Sequence, residues 1–242
     1  MMRFRRKARP KGNQKELEAN ISLRRLISAR DPDSATSEAY RMLRTNLLYA
    51  YVDDPPRTIV LTSPGSREGK SSTCANLGMV LAQVDKTVLI LDCDLRSPIQ
   101  HELFGLRNLY GIPDVLAGQM SLQEACHEPS PGLKVVTAGS LPFDPTGLLG
   151  SRSFSRLVDE ASQRFDYVLI DSPPVEPTSD PAILATKVDG VLLVIDAQRT
   201  PQRALESSVR GLRIVGANLL GTIMNNVDAY DSPYSGYGYR AR

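Results

Sequence analysis

One short segment of the chain combines the residue types that bind nucleotide phosphates. Residues 62–72 read TSPGSREGKSS and lie between the apolar run TIVL and an alanine- and leucine-containing stretch that is typical of a helix. A strand that enters a tight turn and then a helix presents backbone N–H groups to anionic oxygens, and Lys70 adds a positive charge. Ser71 stands where a hydroxyl ligates the magnesium of a bound nucleotide. We call residues 62–72 the phosphate loop; the residues expected to contact the nucleotide are Gly65, Ser66, Arg67, Glu68, Gly69, Lys70, Ser71 and Ser72.

The match to the pattern GxxxxGK[ST] is imperfect. Pro64 occupies the first glycine position, and Arg67 stands where many such loops have glycine. A Gly/Ser turn with an incidental lysine is the alternative. The order of strand, GKSS and helix favours phosphate binding.

Three carboxylates follow apolar runs that are typical of buried strands. Asp92 and Asp94 end the run TVLIL, and Asp171 ends the run YVLI. At one edge of a sheet these charges would repel one another, so a shared cation is expected. Magnesium suits Ser71 plus carboxylates that act directly or through water. The alternative for each aspartate is a cap on the following helix.

The rest of the sequence predicts an α/β fold, with a mainly parallel sheet covered by helices on both faces. The strand runs are rich in Val, Ile and Leu, as in a sheet buried on both sides. The predicted strands are Thr58–Leu61, Thr87–Leu91, Leu133–Thr137, Tyr167–Ile170, Val191–Ile195 and Leu219–Met224. The predicted helices are Ser37–Tyr51, Lys70–Val84, Ser153–Arg164, Asp180–Thr186 and Pro201–Ile214, with a short helix around Gln14–Ile27. Ligands of such sheets bind at the carboxyl ends of the strands, where the charged motifs fall.

Composition indicates one folded domain with two tails. The chain has 242 residues, 41% of them hydrophobic, which is enough for one substantial core. We expect a basic flexible arm over residues 1–33, a domain over 34–226 and a tyrosine-rich flexible tail over 227–242. No apolar run approaches the roughly 20 residues that cross a bilayer, and no apolar stretch follows the basic start, which argues against a secretory signal. The three cysteines, Cys74, Cys93 and Cys126, lack metal-type spacing and are expected to be buried free thiols inside the cell.

Charge is uneven along the chain. The formal net charge is +2, yet the first eleven residues carry six positive charges and no negative one. This run could bind an anionic membrane surface or nucleic acid, or it could be a solvated tail.

Taken together, the motifs resemble those of the bacterial protein-tyrosine kinases (BY-kinases) of capsule and exopolysaccharide synthesis. The phosphate loop, LDCDLRSPIQHELFG from Leu91 to Gly105 and YVLIDSPP from Tyr167 to Pro174 look like the Walker A, A′ and B set of that family. Partitioning ATPases share the P-loop NTPase fold but usually carry a lysine at the position of Gly65. The segment FDPTGLL, residues 143–149, departs from the Asn-Pro-x-Glu-Leu-Leu pattern of relatives.

The resemblance implies ATP and Mg²⁺ as cofactors and assigns roles to residues. Lys70, Asp92 and Asp94 are the catalytic candidates, with Asp92 steering the proton of the attacking phenol and Asp94 organising magnesium. Ser71, Asp92 and Asp171 are the expected magnesium site. Arg96 is a further candidate, and Asn225 corresponds to a residue at the adenine edge in related ATPases, although it could simply end its strand.

The family also gives meaning to two other segments. Glu38, Arg41 and Arg44 reproduce an ExxRxxR helix motif that packs subunits into a ring, with an octamer as the candidate; an intrahelical pair is the local alternative. Four tail tyrosines resemble an autophosphorylated cluster: Tyr230, Tyr234, Tyr237 and Tyr239. Modified tails would repel one another and loosen such a ring.

The expected protein is therefore a tyrosine kinase that phosphorylates its own tail and regulates polysaccharide export. We expect it in the cytoplasm, at the inner face of the membrane, through a transmembrane adaptor of the polysaccharide co-polymerase type; nucleic acid is not an expected partner. Two alternatives are a MinD/ParA-like nucleotide-switch ATPase and a non-catalytic regulator of an export complex.

Overall fold

A computed structural model describes residues 26–51 and 55–227 of the chain. The basic run at the N-terminus and the four tail tyrosines lie outside these ranges. None of the helices in the described ranges has both the length and the apolarity that a membrane span requires.

The chain alternates strands with helices from Thr58 onward. The strands are β1 (Thr58–Thr62), β2 (Val88–Asp92), β3 (His127–Ser130), β4 (Leu133–Val136), β5 (Tyr167–Asp171), β6 (Gly190–Asp196) and β7 (Leu219–Asn225). The longer helices are α2 (Ala35–Tyr49), α3 (Lys70–Ala82), α8 (Arg152–Arg164) and α10 (Gln202–Ile214). Short helices connect them: α1 (Ile27–Arg30), α4 (Gln100–Phe104), α5 (Ile112–Leu116), α6 (Leu122–Ala125), α7 (Pro145–Gly150) and α9 (Asp180–Ala185).

The strands form one sheet in the order β3-β4-β2-β5-β1-β6-β7. All neighbouring pairs are parallel except β3 and β4. Because β1, β2 and β5 are adjacent and parallel, their carboxyl ends meet at the same edge. The phosphate loop and all three candidate carboxylates therefore lie together, as the sequence predicts.

Alternate residues of the central strands supply two hydrophobic cores, one on each face of the sheet. In β2, Leu89 and Leu91 pack with α8 on one face, whereas Val88 and Ile90 pack with α3 on the other. This period of two, with every β2 residue buried, fits a sheet covered on both sides.

The folded region extends further toward the N-terminus than the predicted boundary at residue 34. Leu26 is fully buried in the core beneath α3. The Ser28 hydroxyl donates to Asn76 Oδ1 at 2.8 Å, and the Ser28 amide donates to the same oxygen at 3.0 Å. These contacts attach residues 26–30 to α3. The sequence shows no periodic pattern that would predict them.

The remaining differences concern short elements. β3 was not predicted, because its residues HEPS contain no Val, Ile or Leu and lie at the edge of the sheet. Helices α4 to α7 were not predicted either, because they are too short for a helical period to develop. Cys74 and Cys93 are buried free thiols as expected, but Cys126 is only partly buried because it leads into edge strand β3.

Candidate active site at the carboxyl edge of the sheet

The start of the phosphate loop is fastened to the segment that follows β5. The Thr62 hydroxyl donates to the Pro173 carbonyl at 2.8 Å. The amides of Val175 and Glu176 donate to the carbonyls of Ser63 and Pro64 at 2.8 and 3.1 Å. Pro64, which has no N–H to offer a phosphate, thus serves as an anchoring point through its carbonyl.

Side-chain hydrogen bonds of Glu68 and Asn225 stabilise the middle of the phosphate loop. Glu68 Oε1 accepts a hydrogen bond from the Gly65 amide at 3.0 Å, and burial raises the pKa of this carboxyl. Asn225 Nδ2 donates to the Glu68 carbonyl at 3.0 Å. A Cβ at Gly69, where φ is 90°, would come within 2.2 Å of Asn225 Nδ2. Asn225 therefore packs directly on the loop; its predicted contact with adenine stays a prediction.

Arg67 adopts a backbone conformation that favours glycine. Its φ is 63°, and its side chain is exposed. This left-handed conformation explains why many loops of this type have glycine at the position, and a residue with a Cβ costs about 1 kcal/mol there.

We expect Arg67→Gly to stabilise the protein in the absence of nucleotide. The gain is about 1 kcal/mol, since the strain of the left-handed residue is removed, and the melting temperature rises by about 2–4 °C for a domain of this size. Thermal melting followed by circular dichroism measures it. Ser66→Gly is the matched control, because Ser66 is exposed and is not a positive-φ residue; an equal gain there would contradict the strain at Arg67.

Lys70, at the first position of α3, is paired with the carboxylates. Its Nζ lies 2.8 Å from Asp94 Oδ2, 3.1 Å from Ser71 Oγ and 4.0 Å from Asp171 Oδ1. Burial alone would lower the pKa of Lys70, but Asp171 and Asp94 outweigh it and the pKa is raised. The ammonium group is thus held charged at the point where nucleotide phosphates would meet the loop.

Asp92 and Asp171 face each other as register partners at the ends of β2 and β5. Both are fully buried. Burial, followed by the charge of Asp171, raises the pKa of Asp92 well above its usual value; burial also raises the pKa of Asp171, against the effect of Lys70. Two buried carboxylates side by side are costly unless a cation is shared.

Gln100 joins these two carboxylates to the phosphate loop, and the sequence analysis did not single it out. Its backbone N–H donates to Asp92 Oδ2 at 3.0 Å. Its side-chain Nε2 donates to Asp171 Oδ2 at 2.8 Å and to the Ser71 carbonyl at 3.0 Å. Gln100 is fully buried. Its place in LDCDLRSPIQHELFG was the available signal, but spacing gave no reason to choose it over its neighbours.

The donor atoms at this position fit a magnesium ion bound together with a nucleotide. Asp92 Oδ1 and Asp171 Oδ1 are buried and accept no hydrogen bond from the described residues. No cluster of three or more His, Cys, Asp or Glu side chains in residues 26–51 and 55–227 forms a metal site by itself. Magnesium needs only one or two carboxylates when phosphates and waters complete its shell. Asp92, Asp171 and the Ser71 hydroxyl are such a set.

Asp94 is placed differently from the other two aspartates. Oδ2 accepts from Lys70, and Oδ1 accepts from the Ser97 amide at 3.0 Å. Both oxygens are engaged, so the geometry gives Asp94 the task of orienting Lys70. Its expected role as an organiser of magnesium stays a prediction.

The residues of the proposed ring interface lie on α2, away from this site. Glu38 is exposed and forms an ion pair with Arg41, which also donates to the Pro32 carbonyl at 2.8 Å. Arg44 Nη1 donates to the Val80 carbonyl at 3.0 Å, at the end of α3. The predicted intrahelical pair is therefore present, while packing between subunits stays a prediction.

Comparison with known proteins agrees with this fold and with a nucleotide-binding domain. Residues 59–236 match the model of the CobQ/CobB/MinD/ParA nucleotide binding domain family. The chain belongs to this family of nucleotide-binding domains.

The most informative relatives narrow the class further. The chain is 38% identical over 217 residues to the tyrosine-protein kinase YwqD of Bacillus subtilis (strain 168), covering 89% of this chain and 91% of that protein. It is 34% identical over 216 residues to the tyrosine-protein kinase wzc of Salmonella typhi, covering 88% of this chain but 30% of that longer protein. The kinase domain of the Escherichia coli tyrosine kinase ETK superposes with a TM-score of 0.80 at 30% identity, covering 84% and 80% of the two chains. Within the nucleotide-binding family, the chain is a member of the bacterial tyrosine-protein kinases.

Proposed function

We propose that this protein transfers the γ-phosphoryl group of ATP to tyrosines of its own C-terminal tail and thereby regulates capsule or exopolysaccharide export. One observation carries the transfer chemistry: beside the phosphate loop, buried Asp92 and Asp171 each present an oxygen that accepts no hydrogen bond from the described residues. The acceptor class follows from the family. Relatives named as tyrosine kinases align along 84–89% of this chain.

The residues of the site divide the work of the reaction. The phenol oxygen bonds to the γ-phosphorus while the bond from that phosphorus to the bridging oxygen breaks, and ADP leaves with the bridging oxygen. A phenol has a pKa near 10, so its proton needs an acceptor. We assign that role to Asp92 Oδ1, which accepts no hydrogen bond from the described residues. Lys70 and the loop amides stabilise the charge on the phosphoryl oxygens, where most of the catalysis of such reactions lies.

Ser71, Asp92 and Asp171 would hold magnesium. When bound, the ion neutralises charge on the phosphates and orients them. Gln100 keeps the two carboxylates in place through two hydrogen bonds and ties them to Ser71 through a third, to the Ser71 carbonyl.

The acceptor tyrosines lie outside the described residues, in the segment DAYDSPYSGYGYRAR, which follows β7. β7 ends at Asn225, against the phosphate loop. This segment follows an element that contacts the phosphate loop, which supports the proposal that its tyrosines enter their own site or that of a neighbouring subunit. A ring built through Glu38, Arg41 and Arg44 would supply such neighbours at high effective concentration.

The partner and location extend this proposal. Wzc of Salmonella typhi is about three times longer than the region aligned with this chain. We propose that a separate transmembrane adaptor of the polysaccharide co-polymerase type recruits this chain to the inner face of the membrane.

Replacing the four tail tyrosines tests the choice of acceptor. The variant Tyr230→Phe, Tyr234→Phe, Tyr237→Phe, Tyr239→Phe should lose nearly all phosphotyrosine after incubation with Mg-ATP, while its affinity for ATP is unchanged. The measurement is phosphotyrosine per chain by intact mass, with ATP affinity by calorimetry. Tyr49→Phe and Tyr110→Phe form the control, because these tyrosines are 72% and 62% exposed but lie in the folded domain. Phosphotyrosine retained by the tail variant and lost by the control would refute the tail as acceptor.

A further inference from the structure

An ion pair between buried Asp180 and partly exposed Arg96 has no role in the scheme above. Asp180, the first residue of α9, is fully buried, whereas the side chain of Arg96 is 42% exposed. Arg96 Nε donates to Asp180 Oδ2 at 2.7 Å, and Nη2 donates to Asp180 Oδ1 at 3.3 Å. This two-point contact fixes the plane of the guanidinium group as well as its position.

Thr146 completes the cradle from a third element, α7. Its hydroxyl donates to Asp180 Oδ1 at 2.6 Å and accepts from Arg96 Nη2 at 3.1 Å. Thr146 lies in FDPTGLL, the segment that departs from the pattern of relatives. Asp144 caps the same helix by accepting from the Gly147 amide at 2.9 Å, and a Cβ at Gly147 would come within 2.2 Å of Asp144 Oδ2. The glycine at that position lets the cap pack closely and so helps to place Thr146.

Arg96 belongs to the segment after β2 that also carries Asp94. Arg96 follows Asp94 by two residues, and Asp94 orients Lys70. The hydrogen bonds of Arg96 to the described residues leave from Nε and Nη2, so Nη1 is available to an anion. An ion pair with one buried partner is weak evidence for stability by itself, because desolvation of the buried carboxylate offsets the attraction. An arginine held through Nε and Nη2, with both N–H groups of Nη1 left over, has the geometry of a group that binds phosphoryl oxygens.

We propose that Asp180, with Thr146, is a positioning residue that holds Arg96 at the carboxyl edge of the sheet, so that Arg96 Nη1 binds the phosphoryl group during its transfer. This inference rests on the proposed kinase function. Arg96 is then a catalytic residue, and Asp180 acts only through it.

Chemical rescue with free guanidinium ions separates this role from a purely structural one. Arg96→Ala should lower the rate of phosphoryl transfer about 100-fold, as expected for one lost transition-state donor, with little change in KM for ATP. Guanidinium chloride at millimolar concentrations, far below denaturing levels, should raise the transfer rate of Arg96→Ala about tenfold. The Asp180 carboxylate remains to hold the added ion. The double variant Arg96→Ala, Asp180→Asn should show no rescue.

Two further variants keep the test decisive. If Asp180→Asn does not fold, Arg96→Ala combined with Thr146→Val removes the bridging hydroxyl and should reduce the rescue. Asp189→Asn is the matched control, because Asp189 accepts from the Arg57 and Thr58 amides at the opposite edge of the sheet. It should leave the rescue of Arg96→Ala intact.

The outcomes distinguish this inference from the kinase proposal. Phosphotyrosine and ADP are measured together in each reaction. If the wild-type protein forms ADP but no phosphotyrosine, the kinase proposal is overturned. The effect of guanidinium on Arg96→Ala is then measured as the rate of ADP formation. Rescue that is independent of Asp180, or full activity in Arg96→Ala, overturns the positioning role.

Discussion

Replacing Lys70 by methionine should abolish phosphotyrosine formation, with a loss of at least about 10³-fold in rate. The side chain supplies the cation closest to the phosphates, and a single preorganised donor at such a site is worth about 10² to 10³ in rate. The structure adds a second loss. Without its ammonium group, Asp94 and Asp171 lose the cation that lies 2.8 and 4.0 Å from their oxygens. Removing one partner of a buried pair costs about 3–5 kcal/mol.

The destabilisation of Lys70→Met should grow as pH rises. Burial raises the pKa of Asp92 and Asp171 in the folded protein, and Lys70 opposes that rise. Loss of Lys70 raises the pKa values of Asp92 and Asp171 further. The two carboxyls therefore bind protons more tightly in the folded variant than in the unfolded chain. Acids with raised pKa values favour folding at low pH and lose that contribution as pH increases through the folded-state values.

Denaturant unfolding at acidic and mildly alkaline pH, without magnesium or nucleotide, measures this effect. Lys86→Met is the control, since Lys86 lies at the amino edge of β2 and is partly exposed. It should change stability by less than about 1 kcal/mol at either pH. A Lys70→Met protein as stable as the control at alkaline pH would contradict the electrostatic account of the site.

Replacing Asp92 by asparagine should separate catalysis from stability. The rate of transfer should fall about 10² to 10⁴-fold, because an amide cannot accept the phenol proton. The folded protein should be unchanged or more stable, because the repulsion between two buried carboxylates is removed. The asparagine oxygen can still accept from the Gln100 amide, as Asp92 Oδ2 does at 3.0 Å.

Calorimetry of Mg-ATP binding decides which of the two roles assigned to Asp92 dominates. If Asp92→Asn binds Mg-ATP with unchanged affinity but transfers phosphate far more slowly, Asp92 acts mainly as the proton acceptor. If the affinity and the rate fall by the same factor, Asp92 acts mainly as a magnesium ligand. Asp166→Asn is the control, for which we expect a loss of stability and an unchanged rate of transfer. Asp166 accepts from the Thr87 amide at 2.9 Å, at the amino edge of the sheet, so its loss should affect stability and spare transfer. A fully active Asp92→Asn enzyme would remove Asp92 from the mechanism.

The central features could be predicted from the sequence because they are local. The strands that carry Asp92 and Asp171 are continuous apolar runs, and parallel strands place their carboxyl ends at one edge. The phosphate loop is a contiguous motif. The family resemblance located the same residues and is supported by the comparisons.

The supporting contacts could not be predicted because they join distant parts of the chain. Arg96 and Asp180 are 84 positions apart, and Ser28 and Asn76 are 48 apart. No spacing rule links such pairs. Gln100 was missed for a related reason: its role depends on a short helix, α4, whose five residues give no periodic signal.

The most direct test of the account is to incubate the purified chain with Mg-ATP and to map phosphate by tandem mass spectrometry, beside Lys70→Met. We predict phosphotyrosine within residues 228–242 of the wild-type protein and none in the variant. ATP hydrolysis without phosphotyrosine would contradict the kinase function and would favour a nucleotide-switch ATPase.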